Sequence, residues 1–325
     1  MSDLLKNIDA RTKLAGTNKL EILLFMLGTD ARTGRRETFG INVFKVREVM
    51  RTPPITAAPE MPPSVEGMVS LRGALVPVVD LARYAGVDTQ TPRSIMIVTE
   101  YAGHTQGFLV EGVDTILRLD WSQMRVPPAM LLAEMGGLVT AVTELPDGRL
   151  VMLMDVEKIL SETTNYDDES VYRNIKPLDH PGLTVFFADD STVARKQIQR
   201  TLDAMGVKSQ AAINGREAWD ELEKVAAYAQ ASGQKVTDLI SLVLTDIEMP
   251  EMDGYILTKR IKSDPRFVGV PVIMHSSLSG MSNQQLGKSV GVDEYVPKFE
   301  PQRLSETLTR RLLVGTVPAL PADLT

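Results

Sequence analysis

The sequence lacks several features that would point to other classes of protein. It contains no cysteine, which excludes disulfides, thiolate metal sites and cysteine nucleophiles. No stretch reaches the roughly 18 apolar residues of a membrane-spanning helix, and the N-terminus has no signal-like apolar stretch. A net charge of -7 and an aromatic content of 5% disfavour nucleic-acid binding, including binding by a barrel that stacks bases. We therefore expect a cytoplasmic protein without direct membrane insertion.

Length and apolar content indicate two domains. The chain has 325 residues, of which 43% are hydrophobic and 24% charged, enough for two cores of about 150 residues each. Leu4, Leu5 and Ile8 predict a short amphipathic helix within residues 1–17. From 18 to 162, short apolar segments alternate with glycine and proline, which favours an all-β domain. Its strands are expected at 20–27, 73–81, 93–98, 106–113 and 149–156.

One strand pattern occurs twice in this first domain. The segments GALVPVVD (73–80) and GRLVMLMD (148–155) place a glycine and an aspartate at equal spacing, and each leads into a helical segment. Two interpretations are open. Asp80 and Asp155 are ordinary N-caps of helices, or the domain consists of two related halves.

The second half of the sequence alternates between strands and helices. A polar segment with two prolines, residues 163–182, predicts a linker. Strands are then expected at 183–188, 208–213, 241–245, 271–275 and 294–297, with helical periodicity between them and a last helix through Leu304, Leu308 and Leu312. Five βα units in residues 183–315, before a tail at 316–325, predict an open parallel sheet with helices on both faces.

Polar side chains stand at the carboxyl ends of four of these strands. Asp189 and Asp190 follow the first strand, Asp246 the third, Ser276 the fourth and Lys298 the fifth. Ligands of open parallel sheets bind at this edge. Carboxylates so close together favour a divalent cation, and a few oxygen ligands suit Mg²⁺. A lysine and a hydroxyl at the same point suit a phosphoryl group, for which Asp246 is the candidate acceptor.

Each of these residues also has an ordinary structural explanation. Asp189 and Asp190 fit the cap of the next helix, Asp246 fits a turn, and Lys298 fits a surface lysine. Their joint occurrence at strand ends favours the phosphoryl and metal site.

The segment behind Asp246 fits the same site. In DIEMPEMDG, the turns at Met249-Pro250 and Asp253-Gly254 would bend the backbone round the metal, to which Glu248 would offer its carbonyl oxygen. His275 is expected to be a packed side chain on the fourth strand.

This constellation resembles the receiver domain of two-component response regulators. The resemblance covers residues 183–313 and implies a flavodoxin-like, five-stranded parallel sheet of order 2-1-3-4-5. It also implies a role for each motif residue: the acidic metal pair Asp189 and Asp190, the phosphorylated Asp246, the switch hydroxyl Ser276, the aromatic switch Tyr295 and the invariant lysine Lys298.

Two features depart from the pattern of that family. Phe299 follows Lys298 where the family usually has proline. A cis peptide there would cost about 2.5–4 kcal/mol, so we predict a trans or locally strained bond. The segment 227–239 is also longer than the usual connection.

The first domain resembles the CheW family of chemotaxis coupling domains. The resemblance covers residues 18–162 and implies two small five-stranded β-barrels, in keeping with the repeated pattern. The segments that carry it are GINVFKVREV (40–49), GMVSLRGALVPVVDL (67–81), GFLVEGVDTIL (107–117) and RLVMLMDVEKIL (149–160). Ser70, Arg72 and Glu48 are the candidates for protein interaction. Alternatively, Arg72 is a structural residue that joins the two barrels.

A CheW-like domain followed by a receiver is the arrangement of CheV-type proteins. The resemblance implies a regulatory coupling protein, not an enzyme, that links methyl-accepting chemoreceptors to the histidine kinase CheA. CheW is a further candidate partner, and protein contacts would hold the chain at membrane receptor arrays. Phosphorylation of Asp246 would regulate the coupling, as in sensory adaptation. Two alternatives are open: the receiver is a phosphate sink tethered to the array, or it is inert and the protein is a scaffold.

Overall fold

The structure is a computed structural model and is described here over residues 19–57, 59–101, 104–163, 169–180, 182–276, 287–298 and 300–313. The expected helix in residues 1–17, the tail at 316–325 and the peptide bond to Phe299 lie outside these residues. None of the helices in these residues combines the length and the hydropathy that spanning a membrane requires.

The described residues of the N-terminal domain form ten strands and three α-helices. The strands are β1 Lys19–Met26, β2 Thr38–Asn42, β3 Val46–Arg51, β4 Val65–Leu71, β5 Ala74–Asp80, β6 Ile95–Tyr101, β7 His104–Val110, β8 Gly112–Asp120, β9 Val139–Glu144 and β10 Leu150–Met154. The helices are α1 Leu81–Tyr84, α2 Ala129–Glu134 and α3 Val156–Thr163. The strand predicted at 106–113 is interrupted at Glu111, because the chain passes there from one sheet to the other.

These strands form two five-stranded sheets. We call the sheet of order β8-β1-β2-β10-β9 the first barrel and that of order β3-β6-β7-β5-β4 the second barrel. In each, the chain that leaves one edge strand pairs with the opposite edge: Arg125 with Val142 in the first barrel, and Thr56 with Met68 in the second. Each sheet therefore closes on itself, as the CheW resemblance implied.

The two barrels are topologically equivalent. In the first, β10 runs parallel to β2 and antiparallel to β9; in the second, β5 runs parallel to β7 and antiparallel to β4. The repeated segments of the sequence are β5 and β10. Asp80 and Asp155, at their ends, each accept hydrogen bonds from the amides two and three residues later. Both interpretations of the repeat are therefore correct.

One apolar core joins the two barrels. Phe25 and Phe39 of the first barrel stack with ring centroids 6.0 Å apart. They share a cluster of buried side chains with Ile97 and Phe108 of the second barrel. The domain thus behaves as one packed body rather than as two loosely joined barrels.

The C-terminal domain is a doubly wound α/β sheet. Its strands are β11 Thr184–Ala188, β12 Lys208–Ala212, β13 Leu242–Thr245, β14 Val272–Ser276 and β15 Glu294–Pro297. Its helices include α4 Glu169–Tyr172, α5 Thr192–Ala204, α6 Gly215–Ser232, α7 Gly254–Ser263 and α8 Pro301–Leu313. All neighbouring strands are parallel in the order β12-β11-β13-β14-β15, which confirms the predicted order. Helices α6 and α7 cover one face, and α5 and α8 cover the other.

The segment expected as a linker contains α4, which packs on the C-terminal domain. The guanidinium of Arg200 lies 4.2 Å from the ring centroid of Tyr172. Ile175 joins the core that lies under α5 and α8. The polar composition of the segment gave no indication that Tyr172 and Ile175 pack on the C-terminal domain.

Candidate functional site

The expected polar side chains meet at one edge of the C-terminal sheet. Parallel pairing of β11 with β13 and of β13 with β14 sets their carboxyl ends side by side. Carboxylate oxygens of Asp189, Asp190 and Asp246 lie within 4.8 Å of one another. Asp189 and Asp246 are buried, with 0% and 5% exposure, so this is an interior cluster rather than a solvated acidic surface.

Lys298 bridges two of these carboxylates. Its Nζ lies 2.8 Å from Oδ2 of Asp189 and 3.0 Å from Oδ2 of Asp246. The residue is 2% exposed, so its interpretation as a surface lysine is wrong. The N-cap of α5 is Ser191, whose Oγ accepts from a helix amide at 3.3 Å. Helix capping therefore does not account for Asp190.

The chain behind Asp246 turns sharply, as expected. Asp253 caps α7 and accepts from a helix amide at 2.7 Å. Gly254 is needed because a Cβ there would lie 2.0 Å from the carbonyl oxygen of Asp246. Glu251 has a φ of 66°, in the left-handed region. Its amide donates to the carbonyl of Trp121 in the N-terminal domain at 3.0 Å.

Burial raises the pKa of every aspartate in the cluster. It raises the pKa of Asp246 to about 7, with Lys298 opposing the shift and Asp189 adding repulsion. It raises the pKa of Asp189 to about 6, again against Lys298. The pKa of Asp190 lies well above its usual value through burial and then repulsion from the other two aspartates. A bound cation would relieve this excess of buried negative charge.

The two expected switch residues occupy the neighbouring strands. Ser276 ends β14 and is 3% exposed. Tyr295 lies in β15, half-buried, with its hydroxyl oxygen 3.4 Å from that of Tyr255. Its ring lies against Gly287, where a side chain would collide with it. His275 is a packed strand residue, as expected, and burial lowers its pKa to about 3.

Three side chains of the N-terminal domain also reach this site. The carboxylate oxygens of Glu157, in the first turn of α3, lie 3.3 and 3.5 Å from Nζ of Lys298. Nζ of Lys45 contacts the same carboxylate at 3.2 Å. Asn42 donates its Nδ2 to Oε1 of Glu248 at 2.6 Å. The side chain of Glu248 is thus an interdomain contact, while the metal role expected for its carbonyl stays a prediction.

No sequence pattern indicated these three residues. A glutamate in a first helical turn is usually explained by the helix dipole, and a lone lysine by the surface. In the structure, the attraction of Glu157 and Glu248 raises the pKa of Lys45 and outweighs the opposing effect of burial. Burial raises the pKa of Glu248 to about 7, against the attraction of Lys45. The docking of the two domains brings these charges together.

The candidate interaction residues lie at one side of the second barrel. Arg72 and Gly73 have φ values of 51° and 85° and form a two-residue turn between β4 and β5. A guanidinium nitrogen of Arg72 lies 3.0 Å from Oε2 of Glu48, and Ser70 is exposed. Both charged residues belong to the second barrel, so the alternative that Arg72 joins the two barrels is wrong.

Known proteins match both domains. The CheW-like domain family matches residues 21–164, and the response regulator receiver domain family matches residues 185–309. The chain is 28% identical to the chemotaxis protein CheV1 of Helicobacter pylori, over 96% of this chain and 99% of that protein. This chain belongs to the CheV-type chemotaxis proteins.

Each CheV-type domain also has relatives that consist of that domain alone. The chemotaxis protein CheW of Klebsiella aerogenes is 32% identical over 46% of this chain and 87% of its own length. The chemotaxis protein CheY1 of Helicobacter pylori is 32% identical over 41% of this chain and 98% of its own length. The contact between Glu157 and Lys298 therefore joins a CheW-like domain to a receiver domain.

Proposed function

We propose that this CheV-type protein links chemoreceptors to the histidine kinase CheA, and that Mg²⁺-dependent phosphorylation of Asp246 regulates the link. One observation carries the proposal. Two buried aspartates and the half-buried Asp190 meet within 4.8 Å, and Lys298 holds its ammonium 3.0 Å from the carboxylate of Asp246. This arrangement of acids, lysine and neighbouring hydroxyl suits the transfer of a phosphoryl group to a carboxylate.

The residues fit a magnesium ion. Asp189, Asp190 and Asp246 supply hard oxygen ligands, and the carbonyl of Glu248 is the fourth candidate. When bound, Mg²⁺ supplies positive charge that offsets the acids and the phosphoryl oxygens.

Each side chain then has a defined task. A carboxylate oxygen of Asp246 attacks the phosphorus of a phosphohistidine, a P–O bond forms, and the P–N bond breaks. Lys298 stabilises the transferred oxygens, and Ser276 offers a hydrogen bond. Tyr295 follows Ser276 in the change of surface that reports phosphorylation. The only chemistry of the chain is thus its own phosphorylation and dephosphorylation.

The CheW-like domain, residues 18–162, is proposed as the coupling module and residues 183–315 as the receiver, joined through 163–182. Ser70, Arg72 and Glu48 form the candidate surface for CheA, chemoreceptors or CheW. These contacts would hold the chain at receptor arrays from the cytoplasmic side. The similarity of the chain to the chemotaxis proteins CheV1 and CheW supports this assignment.

The test is CheA kinase activity in reconstituted receptor assemblies that contain this protein. Beryllofluoride with Mg²⁺ mimics the phosphoryl group, and Asp246→Asn is the control. A change with beryllofluoride in the wild type alone supports regulated coupling. Equal kinase activity with and without beryllofluoride would favour a tethered phosphate sink or an inert scaffold. Measuring the transfer of phosphate from CheA to this protein distinguishes these two alternatives. No support in either state overturns the coupling function.

A further inference from the structure

The CheW-like domain places a carboxylate on the lysine of the receiver site. Glu157 contacts Nζ of Lys298 at 3.3 and 3.5 Å, and each residue is 2% exposed. The two residues are 141 positions apart in the chain. The contact therefore depends on the docking of the two domains.

Glu157 and a phosphoryl group would need the same ammonium. An ammonium has three hydrogens to donate. Three carboxylates surround Nζ of Lys298, with nearest oxygens at 2.8 Å for Asp189, 3.0 Å for Asp246 and 3.3 Å for Glu157. A phosphoryl group on Asp246 is stabilised by this same ammonium, where the carboxylate of Glu157 already lies.

Two cavities lie between the docked domains near Asp190. One of about 20 Å³, room for about one water molecule, is lined among others by Asn42, Lys45 and Glu248. The other, of about 310 Å³, reaches Asp190 from the side of Thr192 and Arg195. Neither cavity is lined by Asp246 or Lys298, so neither offers room directly at the acceptor carboxylate and its ammonium.

Electrostatic repulsion also opposes the presence of a phosphoryl group while the two domains are docked. Six acidic side chains of the described residues meet in the docked interface: Asp155, Glu157, Asp189, Asp190, Asp246 and Glu248. The cations that face them there are Lys45 and Lys298, with Arg195 bound to the carbonyls of Asp189 and Asp190. A phosphoryl group adds up to about two negative charges; a bound Mg²⁺ would offset them but would leave the repulsion among the six acids in place. Because the site is buried, solvent ions screen the repulsion poorly.

The backbone that carries Glu157 is firmly held in the CheW-like domain. The first turn of α3 is fixed by the cap at Asp155 and by Val156 and Ile159, which are each 1% exposed in the core of the CheW-like domain. The carboxylate is enclosed by both domains. Exposure of this carboxylate to solvent therefore goes with separation of the domains, which also breaks the bond between Asn42 and Glu248.

We propose that Glu157 closes the phosphorylation site while the two domains are docked, so that docking and phosphorylation of Asp246 exclude each other. This inference rests on the proposed function, because it requires Asp246 to accept a phosphoryl group. The equilibrium is reciprocal: phosphorylation favours separated domains, and loss of the docking contact favours phosphorylation. The CheW-like domain thus acts both as the output of the receiver and as the inhibitor of its phosphorylation.

The first test measures the initial rate of labelling of the full chain by acetyl phosphate with Mg²⁺. Glu157→Gln removes the charge with little change of shape and is expected to raise the rate by about tenfold, a typical size for coupling between two sites. Glu162→Gln is the matched control, since Glu162 is an acid of the same helix that pairs with Lys158 outside the site. Its rate should equal that of the wild type.

A second variant should destabilise the docked state without changing Glu157. Asn42→Asp keeps the oxygen that accepts from the amide of Phe44, but it sets a carboxylate against Oε1 of Glu248. It should also accelerate labelling. Equal initial rates in the wild type, Glu157→Gln and Asn42→Asp would overturn the inference.

A distance measurement reports the docking directly. The chain has no cysteine, so Leu150→Cys and Tyr228→Cys, at positions 58% and 62% exposed, give one spin label in each domain. Beryllofluoride with Mg²⁺ should lengthen and broaden the distance distribution in the wild type and leave it unchanged with Asp246→Asn. An unchanged distribution in the wild type, with labelling intact, overturns the inference alone. A wild type that is not labelled at Asp246 overturns the proposed function instead.

Discussion

The two strand-to-helix junctions of the CheW-like domain share one backbone design but have different uses. At the first, β5 ends in Asp80 and leads into α1; at the second, β10 ends in Asp155 and leads into α3. Both aspartates are almost fully buried caps, with 1% and 2% exposure. Two residues after each cap stands another buried side chain: Ala82 in the first case and Glu157 in the second.

The difference lies in what covers each junction. Ala82 packs into the core of its own domain, and Asp80 pairs with Arg93 at 2.9 Å. Glu157 lies under a second domain and pairs with Lys45 and Lys298. A duplicated element can therefore keep its local structure while one copy becomes a docking site, because the cap depends on the backbone and the contact depends on a single side chain.

The largest expected effect on stability comes from placing at the first junction the buried glutamate that occurs at the second. Ala82→Glu would bury a carboxylate without a nearby lysine and should lower the free energy of unfolding by about 3–5 kcal/mol, the usual cost of an uncompensated buried charge. Urea unfolding of the full chain measures the loss, and Ala82→Gln separates the effect of charge from that of size. A loss of the same size with glutamine would mean that volume, not charge, distinguishes the junctions.

Replacing each cap by asparagine should lower stability at the first junction but not at the second. Asp80→Asn keeps the cap acceptor but removes the charged partner of Arg93, at a cost of about 1.5–3 kcal/mol. Burial and the repulsion of Glu157 raise the pKa of Asp155, so its charge is unfavourable there. Asp155→Asn should therefore leave stability unchanged or increase it. Hydrogen exchange of the amides of α1 and α3 measures both effects. A similar loss of protection at both helices would contradict the predicted difference between the two caps.

The acids that face the second junction should make stability depend on pH. Burial holds the pKa of Asp189 at about 6 and that of Asp246 and Glu248 at about 7, above the ordinary values of 3.8 and 4.5. Between about pH 4 and pH 7 the folded protein then binds more protons than the unfolded chain, so stability falls as pH rises through this window.

Two changes should weaken this dependence. Mg²⁺ competes with the bound protons, and Glu157→Gln removes a carboxylate that raises the pKa of Asp246. Urea unfolding across the pH window, with and without Mg²⁺, measures both effects. Stability that rises steadily from pH 4 to pH 7 in the metal-free wild type would contradict the assignment.

The features that could be predicted from the sequence are those that depend on the order of strands and on the residues at strand ends. The positions of Asp189, Asp246 and Lys298 could be predicted because parallel strands bring their carboxyl ends to one edge. The repeat at Asp80 and Asp155 was visible because capping is local. By contrast, the anchors of α4 and the contact of Glu157 could not be found, because they depend on tertiary packing: of α4 on its own domain in the first case, and of one domain on the other in the second.

The smallest effect on stability should come from the exposed pair of the second barrel. The side chain of Arg72 is 71% exposed beside Glu48, whereas that of Lys45 is 17% exposed beside Glu157. An exposed ion pair contributes about 0–1 kcal/mol, so Arg72→Ala should leave the urea midpoint nearly unchanged. Loss of binding to receptor–kinase assemblies in this variant would then reflect a lost partner contact rather than unfolding. Lys45→Ala should behave in the opposite way: it should loosen the docked receiver and accelerate labelling of Asp246, while binding to the assemblies persists.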